Sequence, residues 1–510
     1  AREMLESRNW IVPHLNYVIY VEKPPLLYWL MAAAFSIFGA NEFAARLVSA
    51  LAALVAVFAT YLFALDGLGR RTALLAGAIL AVSPLFAAMA QVVTPDMLLA
   101  ALTTVASVSL FAHWRHGGAW CWLAYVAMAL GVLAKGPVAV VLPVASLATF
   151  LWWQGELRGQ ASRFHLGIGA VIIASVAAPW FVAVATRVPG FFDFYFVGEH
   201  FRRFFEIDYS HAGPAWFYLP VLLVGLFPWS LAALLGRWRR LAPNPVRSFA
   251  VASAATIVVL FSLANAKLIT YILPAAPMLA VLAADAITRL TGDLDATPSR
   301  NPLALFVIGA ALLGAGFGAM VAALVAPEIR SPYPMYLRPA LYELGAVFLV
   351  GGVITATTVV FRKHSIAIGV AVVTMAIAML AGTHARLLAE PLRSYADLSR
   401  AVGAHAGDAT IVSYHRYVQS LPFYTRRRVV LVGPTSELDF GAERAADSRE
   451  YFLSGDNELL ALWNRARRVI LVIDRPQLAK LRKRLGPFRV IAAEHRKVAI
   501  ERSGSRDASN

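Results

Sequence analysis

The sequence predicts an α-helical protein that crosses a membrane many times and carries a small α/β domain at its C-terminal end. Three observations lead there. Hydrophobic residues make up 59% of the 510-residue chain and charged residues only 15%, whereas soluble domains carry about 25% charged residues. Apolar stretches of about 20 residues, the length needed to span a bilayer, recur along the first three quarters of the chain. After Arg386 they give way to short apolar runs separated by charged helical segments.

The chain opens on residues 1–7, which read as an amphipathic surface helix. The run Tyr20-Val21-Glu22-Lys23-Pro24-Pro25 then precedes a strongly apolar segment. Proline has no backbone N–H to leave unsatisfied, so it suits the first turn of a helix. Lys23 therefore stands at a helix mouth whose free N–H groups and dipole favour an anion, and a cation there completes a seat for a phosphate. A snorkelling lysine beside a capping glutamate at a membrane surface accounts for the same residues.

Segment 24–38 is short for a span. Candidate crossings follow at 43–66, 71–92, 96–114, 119–134, 137–153, 165–186, 214–236, 247–264, 268–288, 303–326, 340–361 and 365–384, about twelve in all. The pair 119–134 and 137–153 is short and is divided by Lys135-Gly136-Pro137. One set of loops carries Arg70 and Arg71, Arg115, Arg158 and Arg163, Arg237, Arg239, Arg240 and Arg247, Arg289 and Arg300, and Arg362 with Lys363. The positive-inside rule places that set in the cytoplasm. Residues 1–42, 92–96, 188–213, 265–267 and 327–339 then lie outside, as does the C-terminal segment if the number of crossings is even. An external start, with no initiating methionine, predicts one further helix ahead of Ala1.

The expected division is a membrane domain over 1–385, its first transmembrane helix absent, and an extracytoplasmic α/β domain over 386–510. In the latter, 410–413, 429–432, 469–473 and 490–493 read as buried strands, and 458–466 and 477–485 as helices. No glycine-rich loop follows a strand, which argues against nucleotide binding. The net charge is +16, of which residues 386–510 carry +8. Much of the remainder sits in short loops between apolar spans, a distribution suited to membrane lipids rather than nucleic acid. The single cysteine, Cys121, excludes an intrachain disulfide and a cysteine-rich metal site, and reads as inert packing.

The external loops bring acids, bases and cations to one level: Glu22 with Lys23, Asp96, the run Glu199-His200-Phe201-Arg202-Arg203-Phe204, and Lys267 through Tyr271. An ionisable residue at a membrane helix is a functional hypothesis by default, yet each of these has a structural account. Thr94 reads as an N-cap, with Pro95 in the first turn and Asp96 facing the helix dipole. Phe201, Phe204 and Phe205 with Arg202 and Arg203 fit an interfacial belt, although the planar arginine fork also suits phosphate oxygens. Lys267 and Tyr271, four apart, would share a helix face, or form a snorkelling lysine beside an aromatic belt. Glu22 and His200 are two candidate ligands of a divalent metal, too few to define a site, and a hydrogen bond accounts for His200. No other cofactor is implied.

The stretches Ala1-Arg2-Glu3-Met4-Leu5, Trp10-Ile11-Val12-Pro13, Glu22-Lys23-Pro24-Pro25-Leu26 and Asn41-Glu42-Phe43-Ala44-Ala45-Arg46-Leu47 follow in one order at tight spacing. Together they resemble the first extracytoplasmic loop and second membrane helix of the bacterial aminoarabinose transferase family. Those enzymes are polyprenyl-phosphate-sugar-dependent glycosyltransferases related to the protein O-mannosyltransferases. The resemblance covers most of residues 1–280 and implies a GT-C type fold. It implies transfer of a sugar, 4-amino-4-deoxy-L-arabinose or a similar one, from undecaprenyl phosphate to lipid A at the periplasmic face of the bacterial inner membrane. On this resemblance Lys23, Asp96 and Glu22 are the catalytic candidates. Tyr20, Lys23, His200, Arg203, Lys267 and Tyr271 are candidates for holding the carrier phosphate and sugar, with Arg203 matching better than Arg202. The family's principal acid would precede Ala1. A protein O-mannosyltransferase-like enzyme with another acceptor is one alternative. A transporter is a second, but its site would sit near the bilayer midplane on broken helices, where these spans are almost free of charge.

Overall fold

The structure is a computed structural model, and it describes residues 1–202, 213–235, 244–291, 303–325 and 332–502. The chain forms two compact units. One takes Lys23–Glu328 and Arg338–Thr383, the other Ala1–Glu22, Ile329–Leu337 and His384–Asn510. The expected boundary at 385/386 is therefore incomplete, because the first 22 residues belong with the C-terminal unit.

The first unit is helical. Among the described residues of the chain, eight helices are long and apolar enough to cross a membrane, or nine with one bent pair, and Leu26–Phe38, Trp120–Lys135 and Val138–Gln154 are shorter apolar helices. That grouping does not fix the expected count of about twelve. Three expected spans take a different form. Segments 43–66 and 71–92 become a run from Glu42 to Val82, broken only at Gly69 (φ 81°), followed by the short helix Pro84–Met89. Segment 214–236 is two helices, Ala215–Gly225 and Trp229–Leu235, bent by 113°. Pro228 lies in that break, where its ring and missing N–H stop a continuous helix.

Small side chains set the packing. A Cβ on Gly131 would fall 2.5 Å from the Cβ of Ala139, so helices Trp120–Lys135 and Val138–Gln154 approach closely, as small residues allow between membrane helices. Cys121 is fully buried in this core. Four rings knit separate helices together: Phe111 lies 5.1 Å from Phe63 and 5.0 Å from Phe249, and Phe150 lies 5.4 Å from Phe249. Several cations read as cytoplasmic find partners at one end of the unit. Arg115 approaches Asp66 at 3.6 Å, and Asp285, buried, receives Arg247 at 2.7 Å and Arg289 at 3.0 Å.

The second unit begins with the helix Arg2–Ser7. This helix was expected at a surface, but Arg2, Glu3 and Met4 are buried, and Glu3 accepts the backbone N–H of Tyr17 at 2.9 Å. A hairpin follows, with β1 (His14–Leu15) paired antiparallel to β2 (Val18–Ile19). Its two loop residues, Asn16 and Tyr17, have φ of 54° and 60°. Positive φ at both positions is what a type I′ turn requires.

The six-stranded sheet is formed by β3 (Thr410–Tyr414), β4 (Val430–Val432), β5 (Phe452–Leu453), β6 (Val469–Asp474), β7 (Phe488–Glu494) and β8 (Lys497–Arg502). Its order is β5-β4-β3-β6-β8-β7, parallel from β5 to β6 and antiparallel through β8 and β7. Continuous apolar runs such as 469–473 suit strands covered on both faces, and Val469 through Ile473 are all buried. The four expected strands are present, and β5, β8 and the hairpin are additions.

Asn16 fastens the hairpin to the sheet. It is fully buried, its amide donates to the Val429 carbonyl at 2.9 Å, and its side-chain oxygen accepts the Val429 N–H at 2.8 Å. Asparagine also tolerates positive φ better than most residues. Asn16→Ala leaves a buried N–H unpaired, which costs about 1–3 kcal/mol. Hydrogen exchange followed by mass spectrometry on the whole chain should therefore accelerate by roughly tenfold or more in peptides spanning 426–433, while peptides of β6 stay unchanged.

Candidate functional site

Two helices of the membrane unit form an antiparallel hairpin, Pro95–His116 and Trp120–Lys135, so the start of the first meets the end of the second. At that meeting point Lys135 pairs with Asp96 through Nζ and Oδ1. The charges complement both helix dipoles: the carboxylate lies in the first turn of one helix and the ammonium in the last turn of the other. Both side chains are mostly buried, at 11% and 16% exposure.

The Lys135 ammonium also stands 4.4 Å from the ring centroid of Tyr271, in cation–π range. Tyr271 belongs to the 3₁₀ helix Ile269–Ala275, which packs against Pro95–His116. A carboxylate, an ammonium and a phenol from three elements thus form one cluster. Lys135 is the member that the sequence reading treated only as a boundary.

Lys267 has a different task. It is 5% exposed, and its Nζ donates to the carbonyls of Phe261 (3.2 Å), Ser262 (2.7 Å) and Ala264. These carbonyls belong to the end of helix Pro245–Leu263, where the last groups have no partner within the helix. Three donors meet three acceptors, so this lysine closes a helix end. The expected shared face with Tyr271 is absent, because residue 267 precedes a 3₁₀ segment rather than sitting four residues back along an α-helix.

The remaining candidates are dispersed. Lys23 is half-buried in the membrane unit, just ahead of helix Leu26–Phe38, whose N-cap is Pro25. That helix packs against Trp120–Lys135, the helix that ends on Lys135. Tyr20 and Glu22 belong to the other unit, where the Tyr20 hydroxyl donates to Glu22 Oε2 at 3.3 Å. His200 falls in the π-helical segment Asp193–Arg202. Its side chain and those of Glu199 and Arg202 lie outside the described residues, as does Arg203. The segment is anchored upstream, with Tyr195 5.5 Å from Phe181 and 5.4 Å from Phe191. Thr94 holds the expected N-cap position, but its hydroxyl makes no capping bond and finds no partner among the described residues. No three His, Cys, Asp or Glu side chains gather as metal ligands among the described residues.

Removing one partner of a buried ion pair typically costs about 3–5 kcal/mol, because the other charge stays uncompensated. Lys135→Ala should therefore lower the unfolding temperature clearly, as read by tryptophan fluorescence in detergent. The double variant Asp96→Asn, Lys135→Met should recover most of that loss.

Comparison with known proteins places this arrangement. A model for the dolichyl-phosphate-mannose-protein mannosyltransferases matches residues 22–182, and one for the aminoarabinose transferase C-terminal domain matches residues 398–502. The undecaprenyl phosphate-alpha-4-amino-4-deoxy-L-arabinose arabinosyl transferase of Edwardsiella ictaluri is 33% identical over 363 residues, covering 68% of this chain and 63% of the relative. Its counterpart from Erwinia tasmaniensis is 29% identical over 361 residues with the same coverage. The chain thus spans less than two thirds of the length of these relatives. The crystal structure of ArnT from Cupriavidus metallidurans bound to undecaprenyl phosphate matches with a TM-score of 0.81 and 25% identity, over 99% of this chain and 92% of that one. The likeness extends over membrane helices and α/β unit alike, which is the expected GT-C type architecture of a multi-span membrane protein. On these grounds the chain belongs to the aminoarabinose transferase family.

Proposed function

We propose that the chain transfers 4-amino-4-deoxy-L-arabinose, or a closely similar sugar, from undecaprenyl phosphate to lipid A. The observation that carries this reading is the match to ArnT bound to undecaprenyl phosphate along nearly the whole chain. Breaking the glycosidic bond leaves negative charge on the carrier phosphate, so the site needs fixed cations in a place shielded from water. Lys23 at its helix mouth fits that need. Lys267 does not, since its donors are taken up by carbonyls. Arg203 keeps its place as a candidate from the sequence. The Asp96–Lys135 pair carries no net charge, and its task in this reading is positional: it holds two helix ends together and seats a cation against Tyr271. An acceptor phosphate is already anionic and needs placing more than deprotonating.

A second reading keeps the chemistry and changes the acceptor, and the mannosyltransferase model that matches residues 22–182 favours it. Mass spectrometry of lipid A from cells with and without the gene separates the two. An added aminoarabinose that disappears on deletion supports the first reading, and unchanged lipid A with altered glycoproteins supports the second. Lys23→Ala should lower the transfer rate by ~10²–10³, the usual loss for one such stabilising donor.

The orientation proposed is an inner-membrane enzyme with the α/β domain and the catalytic end of its helices in the periplasm. Single cysteines at Ser7, Val197 and Arg496, all exposed, report on it in a Cys121→Ala background. All three should react with a membrane-impermeant thiol reagent in cells whose outer membrane alone has been opened. Labelling of Arg496→Cys only after lysis would place the domain on the other side.

A further inference from the structure

The α/β unit holds a cavity of about 350 Å³ lined by Tyr17, Arg426, Arg427, Arg428 and Tyr451. Three consecutive arginines follow the short helix Ser420–Thr425, and Arg426 closes that helix with a left-handed backbone (φ 54°) and an N–H bonded to the Pro422 carbonyl at 3.0 Å. A short helix end tolerates basic neighbours, but that alone does not gather three guanidinium groups around one concavity with two phenol rings.

The three arginines differ in what engages them. Arg428 is committed: it forks onto Asp447, with one contact at 3.1 Å, and lies 3.8 Å from the Tyr451 ring centroid. That fork holds the Asp447 carboxyl below its usual range. Arg427 donates from one Nη to the Gly407 carbonyl at 2.6 Å, an uncharged acceptor that leaves its charge uncompensated. The Arg426 guanidinium is exposed and makes no hydrogen bond or ion pair among the described residues. Two of the lining arginines therefore have no carboxylate partner among the described residues. Two acids lie beside Tyr17: Glu3 accepts its backbone N–H, and Glu6 accepts its hydroxyl at 3.1 Å and approaches Arg2 at 3.6 Å.

The wall opposite is built against a conformational preference. Tyr17 has φ of 60° in the hairpin turn, a region that bulky residues seldom occupy. Glycine is the common residue at that turn position. The fully buried Asn16, bonded twice to Val429, holds the turn against the segment that carries the arginines. The tyrosine hydroxyl stands 3.2 Å from the Arg426 carbonyl oxygen. A left-handed aromatic residue kept at the lip of a basic cavity is the kind of local strain that persists where the side chain has a use.

Planar guanidinium forks match phosphate oxygens two at a time. We propose that this cavity is a phosphate-binding subsite of the α/β unit, taking a phosphate monoester either free in solution or on a lipid headgroup. The inference stands apart from which sugar and acceptor the membrane unit serves.

The test uses the full chain, purified in detergent or placed in nanodiscs, with phenylglyoxal labelling of arginines read by peptide mass spectrometry. Inorganic phosphate should protect Arg426 and Arg427 by roughly tenfold, in line with charge-assisted bonds to an anion, while the exposed Arg496 stays reactive. Nanodiscs of phosphatidylcholine with phosphatidic acid, compared with phosphatidylcholine alone, separate the sources. Protection by the anionic lipid marks a lipid headgroup, and protection by inorganic phosphate alone marks a soluble phosphate. A second readout is broadening of the ³¹P resonance of inorganic phosphate by the protein, which Arg426→Gln should abolish and Arg496→Gln should leave. Arg426→Gln should melt as the parent does, since its side chain holds nothing in place. The proposal is overturned if neither phosphate nor phosphatidic acid protects the pair, if Arg496 is protected equally, or if Arg426→Gln keeps the broadening.

Discussion

A helix that ends among apolar neighbours leaves carbonyls and N–H groups with no water to satisfy them, and the polar residues of this protein are distributed by that constraint. Lys267 turns back onto the last carbonyls of helix Pro245–Leu263. Lys497 does the same in the α/β unit, donating to the Ser394 carbonyl and to that of Pro391 at 3.4 Å, at the end of helix His364–Arg393. Two lysines far apart in sequence thus solve one problem in one way. Each covers carbonyl oxygens with an ammonium that has donors to match.

The same constraint decides which charges can act on a ligand. Asp285 holds Arg247 and Arg289, and Asp66 approaches Arg115, so these cations are tied down at their end of the membrane unit. At the opposite ends of helices Pro95–His116 and Trp120–Lys135, Asp96 and Lys135 cancel each other. Lys23 has another setting: it stands on a proline-led helix start, where N–H groups rather than carbonyls are left over. A lysine at a helix end completes a carbonyl cage. A lysine at a helix start meets N–H groups instead, and it is there that we propose an anion is held.

The helical membrane domain and four of the six sheet strands were legible because their signals are local: apolar length for the helices, continuous apolar runs for β3, β4, β6 and β7. Lys135 was missed although the loop alternation held it. Helices 96–114 and 119–134 form one hairpin, so any assignment of Asp96 to the outer level carries Lys135 with it. The residue was read as a weak boundary between two short helices instead. Lys267 was misplaced for the opposite reason, since the four-residue spacing to Tyr271 assumes α-helix where the backbone is extended at Leu268 and then 3₁₀. The hairpin and β5 are two residues per strand, below the length at which alternation carries information. The break at Pro228 was visible in the sequence, but the apolar run around it suggested one span.

The arginine cavity was illegible for a more basic reason. Tyr17 and Arg426 are 409 positions apart, and what joins them is a buried asparagine whose only outward sign is a polar residue before a tyrosine. Net charge gave no warning either. Residues 386–510 carry +8, yet Arg400, Arg428, Arg468 and Arg484 all face carboxylates within the unit. A sum over the segment averages those neutral pairs with the few cations that lack one. What matters to an anion is the residue left over after pairing, and that becomes visible only when the fold has chosen the partners. Arg426 is left over because Arg428 takes Asp447, and the hairpin residue that lines the same cavity is a tyrosine rather than an acid.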